Sequence, residues 1–344
     1  MIEEAAGPAN WRGRDLQNSD SWIYCLNDAE TAEVKQAVGS VIDQNIALKD
    51  MTANDFSLPF LEPVLNNLRV ELEEGVGLKL LRGFPTESLS TEHLRVMYWG
   101  IGLHVGTAVS QSNRNDYLGD VRNIGTPHGG PNFRGYTSNG NLTYHVDAAD
   151  VTGLFCLRPA KKGGLSRIVS SLAVHNEILE IRPDLLEVLY KPYWWSMQGN
   201  ELPGAAGFYT QPIFAVEQGY FACRYTRTHI RSAEMNSDLP DLTPMQSAAL
   251  DLFDEVCARQ EFNITMMFEP GDIQFLNNHL TLHTRTAFED SEINDQKRHL
   301  MRLWLSLPNG RPLSSGFKPF YRHISAGAVR GGFPGQGEMK FQTL

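Results

Sequence analysis

His145 and Asp147 stand two residues apart in the run NLTYHVDAAD, residues 141–150. On an extended strand, residues i and i+2 project from one face, so an imidazole and a carboxylate there point the same way, as neighbouring metal ligands must. The same pair also occurs in solvated turns, and its meaning depends on what else the chain supplies. A second histidine source lies in EPGDIQFLNNHLTLHTRTAFED, residues 269–290, which holds His279 and His283. A spacing of four would align them on a helix, but this run reads as strand, turn and strand, so one is expected to be a ligand and the other structural. His283, inside the strand pattern, is the favoured ligand. Two histidines and one carboxylate form the facial set that holds ferrous iron with open positions opposite. Catalytic zinc with three protein ligands and water has the same count, so hydrolysis stays open on ligands alone.

The run QKRHLMRLWLSLP, residues 296–308, bears on that choice. Strand alternation puts Arg298, Leu300, Arg302 and Trp304 on one face and His299, Met301, Leu303 and Leu305 on the other. Guanidiniums facing an apolar interior are costly unless they meet anions, and their paired N–H groups match a carboxylate. A dicarboxylic co-substrate such as 2-oxoglutarate asks for such a clamp. The alternative is that both arginines pair with the chain's own acidic residues.

The elements that must carry these residues follow from periodicity. Residues 28–52, 60–75 and 90–106 read as helices, and 75–85 as a strand and turn. From about residue 115, short β-type runs separated by Gly, Pro or Asn dominate: 116–125, 142–150, 152–160, 165–171, 211–225, 263–278 and 299–308. Helical stretches at 172–190 and 243–260 interrupt them. Helices followed by many antiparallel-type strands predict a mainly β, α+β fold with a double-sheet jelly-roll core. No linker marks a boundary, so one domain is expected: helical support over 1–106, jelly roll over 107–310, and a Gly-rich irregular segment over 311–344.

The chain has 344 residues, 42% hydrophobic, with a formal charge of −10, which speaks against a phosphate backbone as the main partner. Its apolar runs are too short to span a bilayer, and the acidic start lacks the features of a secretory signal. A cytoplasmic protein is expected. Cys25, Cys156, Cys223 and Cys257 form no Cys-x-x-Cys pair, and Cys156 and Cys223 lie in apolar runs as buried thiols.

Taken in order, YHVD, KKGGLSRIVS, PGDIQFLNNHLTLHTRTAF and RHLMRLWL resemble the taurine dioxygenase-like (TauD/TfdA) family of Fe(II)/2-oxoglutarate oxygenases over roughly residues 85–308. The resemblance implies a double-stranded β-helix and iron ligands at His145, Asp147 and His283. It implies that Arg298 binds the distal carboxylate of 2-oxoglutarate, with Ser166 standing where the family often has threonine, and that Arg302 approaches the C1 end. His279 falls where the family commonly has another residue and is left outside the ligand set. The implied reaction couples loss of CO2 from 2-oxoglutarate, giving succinate, to O2-driven attack on a substrate C–H bond. The outcome is hydroxylation, desaturation or oxidative cyclisation of a small acid or amino-acid-like metabolite, as in secondary metabolism. The competing reading is a non-redox jelly-roll protein: a zinc-type hydrolase or isomerase, or a binding protein. The partners expected are that small molecule and a second copy of the chain. Candidate substrate contacts are Asn139, Asn141 and Tyr144 at a polar loop over 128–144, Gln111 in the run 108–113 at a barrel entrance, and Arg224 or Arg227 beyond it, whose alternative is pairing with an aspartate. The aromatics Trp194, Trp195, Phe208 and Tyr209 are candidates for an apolar wall.

Overall fold

The computed structural model describes residues 2–125 and 135–343. Two antiparallel sheets face each other. The larger has seven strands, in the order Ile23–Cys25, Leu78–Arg82, Ile273–Asn277, Val151–Arg158, His299–Ser306 and Thr107–Ala108, with Leu118–Val121 also paired to His299–Ser306. Only its edge pair, Ile23–Cys25 with Leu78–Arg82, is parallel. The smaller sheet runs Asn263–Met266, Ser166–Ser170, Thr281–Arg285. The chain crosses between sheets, from Val151–Arg158 to Ser166–Ser170 and from Ile273–Asn277 to Thr281–Arg285 and back to His299–Ser306. This is the expected jelly roll.

Alternation decides what each strand buries. In the large sheet Phe155, Ile273, Phe275, Met301, Leu303 and Leu305 turn outward into one apolar cluster with the helices Asp28–Asp43, Glu62–Glu73 and Thr91–Val105. Cys156, Leu276 and Leu300 pack inward with Ile168 and Ile264 of the small sheet. A second helical layer, Ser171–Ile181, Pro183–Leu189 and Pro244–Ala258, covers the back of the small sheet through Val169 and Leu282. All four cysteines are free thiols, and Cys156, Cys223 and Cys257 are buried.

Several boundaries depart from the periodic reading, each for a local reason. The first long helix stops at Asp43, and Asn45 then adopts a left-handed φ of 53°. The stretch 172–190 is two helices, because Pro183 cannot continue the first and instead opens the second. Residues 142–150 form no strand; they make two isolated bridges, both at His145. Tyr193–Ser196 and Phe208–Gln211 pair as a hairpin of their own, and a further helix, Arg227–Glu234, was not expected.

The C-terminal segment has little regular structure, yet it is anchored. Asp150, wholly buried, accepts hydrogen bonds from Arg330 Nε at 2.7 Å, Ser306 Oγ at 3.2 Å and Leu307 N at 3.1 Å, and pairs with His279 Nε2 at 2.9 Å. Asp150→Ala leaves the Arg330 guanidinium buried without its counter-charge, which costs about 3–5 kcal/mol. Urea unfolding is expected to register a loss of that size; an unchanged midpoint would remove Asp150 as the anchor.

Candidate active site

The His-x-Asp segment is held from both sides by main-chain hydrogen bonds. His145 N donates to His283 O at 3.0 Å and His283 N returns the bond to His145 O at 2.9 Å. On the other side Val146 N donates to Tyr225 O at 2.9 Å, and His145 also bridges Thr226. The segment thus extends the small sheet by one bridge, and this single extended position suffices to put His145 and Asp147 beside His283. The two imidazole centroids are 4.4 Å apart, and one donor atom from each of the three residues lies within 4.8 Å of the others.

Two of the three donors are oriented by hydrogen bonds, while His283 Nδ1 is buried without a partner. His145 Nδ1 hydrogen-bonds Thr143 O at 2.9 Å, leaving Nε2 for a ligand. Asp147 Oδ2 accepts from Thr152 Oγ1 at 2.8 Å, and Thr152 Oγ1 accepts in turn from Asn278 Nδ2 at 3.1 Å. Asn278 Oδ1 also takes the Asp147 amide at 3.0 Å. Burial would raise the Asp147 carboxyl, but Arg302, with His283 and His145, holds it well below the usual carboxylate range. Burial pushes His283 down to about 3, helped by its neighbour His145, and lowers His145 as well. Neutral imidazoles and an ionised carboxylate are the protonation states a divalent metal needs, so the donor set fits one.

These residues open on a cavity of about 320 Å³ between the sheets. Arg298, Arg302 and Trp304 all reach it, as the alternation of their strand requires. Arg298 is buried, its Nη1 has no hydrogen-bond partner, and its guanidinium lies 5.1 Å from the Phe288 ring. Burial, then repulsion by Arg285, pushes its pKa down to about 9. Ser166 lines the same cavity and its hydroxyl donates to Gln274 Oε1 at 3.2 Å. Arg302 is drawn to the triad instead, with Nη1 3.2 Å from Asp147 Oδ1.

The other candidates fall in different places. Gln111 lines the cavity, but its amide is occupied: Nε2 donates to Tyr117 O and Arg302 O, and Oε1 accepts from Arg302 Nε at 2.8 Å. It aims Arg302. Asn141 reaches the cavity while its Oδ1 accepts from Ala287 N at 2.6 Å. Asn139, whose carbonyl accepts from Phe288 N, and Tyr144, which is buried, are not among the lining residues. Residues 128–134 of the polar loop lie outside the described residues. Arg224 lines the cavity and is almost wholly buried. Trp195 packs over Arg224, but none of Trp194, Trp195, Phe208 and Tyr209 is among the lining residues. His279 is spent on Asp150, away from the cavity. Thr152 and Asn278, which hold Asp147, went unrecognised in the sequence, where a threonine in an apolar run and an Asn-Asn turn look ordinary.

Residues 44–304 match the taurine catabolism dioxygenase TauD, TfdA family. The chain belongs to this family. Among its relatives, FR-33289 synthase of Streptomyces rubellomurinus is 32% identical over 317 residues, covering 90% of this chain and 93% of that protein. The taurine hydroxylase-like protein SAT17 of Stachybotrys chartarum is 27% identical over 305 residues, covering 85% and 77%. Among solved structures, asparagine oxygenase in complex with Fe(II), 3-hydroxyasparagine and succinate superposes with a TM-score of 0.63 at 15% identity, covering 90% of this chain and all of that one. The non-haem iron oxygenase OrfP with iron and α-ketoglutaric acid gives 0.59 at 14% identity, covering 83% and 94%. The TauD/TfdA protein described here is accordingly a non-haem iron, 2-oxoglutarate-dependent dioxygenase, and the hydrolase alternative falls away.

Thr152→Val keeps the shape of the side chain that steadies Asp147 and removes its hydrogen bond. Ferrous ion affinity, measured by anaerobic equilibrium titration, is expected to fall roughly 10–100-fold. Unchanged affinity would mean that Asp147 needs no such support.

Proposed function

We propose that this dioxygenase oxidises a small anionic metabolite, with iron held by His145, Asp147 and His283 and the distal carboxylate of 2-oxoglutarate held by Arg298 beside Ser166. The observation that carries the reading is that the His-Asp-His cluster and a buried arginine with an unpartnered Nη1 open on one cavity. Iron with 2-oxoglutarate supplies O2 activation for attack on an unactivated C–H bond.

The chain's own residues do the rest. Thr143, Thr152 and Asn278 orient the His145 and Asp147 donors before metal arrives. Arg298 fixes the far end of the co-substrate by a charge-assisted pair, and Arg302, aimed by Gln111, stands at its C1 end. Leu154, Val121, Phe268, Trp304 and Phe333 supply apolar walls that limit water. An amino-acid-like or related small acid suits the cavity's size and its polar lining, and asparagine oxygenase and OrfP hold hydroxylated amino acids. The domain organisation we favour is a single unit, with residues 1–106 as helical support. The acidic chain, in which no helix among the described residues is long and apolar enough to cross a membrane, suits a cytoplasmic enzyme.

Anaerobic addition of ferrous ion and then 2-oxoglutarate is expected to produce the weak visible charge-transfer band of the chelate. In Arg298→Ala the band requires roughly tenfold or more co-substrate, and His145→Ala and Asp147→Ala release no succinate while keeping a native far-ultraviolet spectrum. Iron binding without a band would count against the reading, and so would full activity in either ligand variant.

A further inference from the structure

Seven arginines among the described residues are buried: Arg95, Arg224, Arg227, Arg285, Arg298, Arg311 and Arg330. Four have carboxylate partners. Arg95 meets Asp120 at 2.6 Å, Arg227 meets Asp251 at 2.8 Å, Arg311 meets Glu73 at 2.6 Å and Arg330 meets Asp150 at 2.7 Å. None of those four lines the cavity. The three with no carboxylate within ion-pair reach among the described residues, Arg224, Arg285 and Arg298, all line it. With Arg302 they set four guanidiniums against one carboxylate, Asp147, in the described lining. A ferrous ion and a 2-oxoglutarate dianion cancel in charge, so a surplus of three positive charges remains.

That surplus is distributed. Arg302 lies against Asp147, and Arg285 holds the carbonyls of Ser138 and Gly140 next to Arg298. Arg224 stands apart. Its guanidinium lies 4.0 Å from the Phe320 ring, 5.4 Å from Trp195 and 5.8 Å from Tyr321, whereas Arg298 and Arg285 share Phe288. Its polar contacts are long, 3.5 Å from Nη1 to Asp147 O and 3.4 Å from Nη2 to the Tyr209 hydroxyl, and Nε has none. Aromatic faces offset part of the cost of burying the cation, but they leave its N–H groups short of acceptors.

We infer that Arg224 is the specificity-determining residue for substrate: it binds the anionic group of a small organic acid, at a subsite separate from the co-substrate clamp. The inference rests on the oxygenase reading above and deepens it. Because Arg224 touches the main-chain carbonyl of Asp147, the anionic group lies near the metal, and the carbon oxidised is within a few bonds of it. Planar carboxylates and tetrahedral oxyanions both suit a guanidinium fork, so the test separates them.

The enzyme loaded with ferrous ion and 2-oxoglutarate without oxygen is titrated with acetate, methanesulfonate and methylphosphonate. Binding is followed by calorimetry, with the chelate band recorded on the same samples. At least one anion is expected to bind and shift the band, and the strongest reports the head-group class. Arg224→Gln is expected to form the chelate at the wild-type 2-oxoglutarate concentration while losing roughly tenfold or more in anion affinity, with Arg224→Lys in between. Equal anion affinity in Arg224→Gln, or no anion binding to the wild type, overturns the inference. If Arg224→Gln loses the chelate too, Arg224→Lys carries the comparison: a restored chelate with anion affinity still below wild type supports the subsite, and any other result makes Arg224 a packing residue. Absence of the band in the wild type instead sinks the oxygenase reading, while Arg224-dependent heats would still establish the anion site.

Discussion

The site depends on two main-chain hydrogen bonds exchanged between His145 and His283. The segment that carries His145 and Asp147 has no strand of its own; it joins the small sheet through the bridge to His283 and the Leu142 amide on the Arg285 carbonyl, and bridges Thr226 on its other side. A reciprocal pair of this kind fixes both the separation and the facing direction of two residues from distant parts of the chain. Asn278 then finishes the job from the turn between the two sheets, taking the Asp147 amide with its side-chain oxygen and the Ala149 carbonyl with its nitrogen. The three donor residues are thereby brought together by main-chain and turn contacts. An enzyme that must bind and orient before it reacts needs that arrangement.

The cavity's charge is the second constraint. Burying a guanidinium without an anion is expensive, and the cost shows in Arg298 and Arg285, pushed down to about 9 and about 10 chiefly by burial. Elsewhere among the described residues a buried arginine stands beside a carboxylate, as Arg330 does beside Asp150. Among the described residues the imbalance is therefore concentrated at the cavity. Anions that occupy the cavity relieve it, so ligand binding is linked to the stability of the folded state. Charge asymmetry confined to a cavity also explains how a chain with a net charge of −10 can present a basic interior to an acid.

Legibility in the sequence followed the range of the interactions. Strand alternation placed Arg298, Arg302 and Trp304 on the cavity and Met301, Leu303 and Leu305 under the helices, because period-two burial is a local property. It held even though the register slips between His299 and Leu300. The His-x-Asp pair was legible as chemistry but not as secondary structure: its extended backbone is imposed by partners that local pattern does not reveal. The same limit applied to side chains. Gln111 reads as a polar residue near an entrance, and only the fold shows both ends of its amide engaged with Arg302 and Tyr117. His279 and His283 look alike in the sequence and are separated by Asp150, a residue whose role depends on Arg330 near the far end of the chain.

That far end carries the last step. The C-terminal segment reads as Gly-rich and irregular, and its backbone largely is, yet Phe320 and Tyr321 pack around Arg224 and Phe333 lines the cavity. The family match stops at residue 304, short of all three. Residues within the match build the His-Asp-His cluster, and Arg298 and Ser166 of the same stretch line the cavity with it. The wall around Arg224 comes partly from beyond the match, held in place by Asp150, three residues after the triad's own aspartate. That wall meets the triad segment at three points, the Arg224 contact with the Asp147 carbonyl, the Gly332 amide on the Ala148 carbonyl and Arg330 on Asp150, so it braces the donors as well as lining the cavity. Arg224 lies inside the matched region and is enclosed partly by Trp195 and Tyr209 within it and partly by Phe320 and Tyr321 beyond it, so the anion subsite proposed for it is shaped from both stretches.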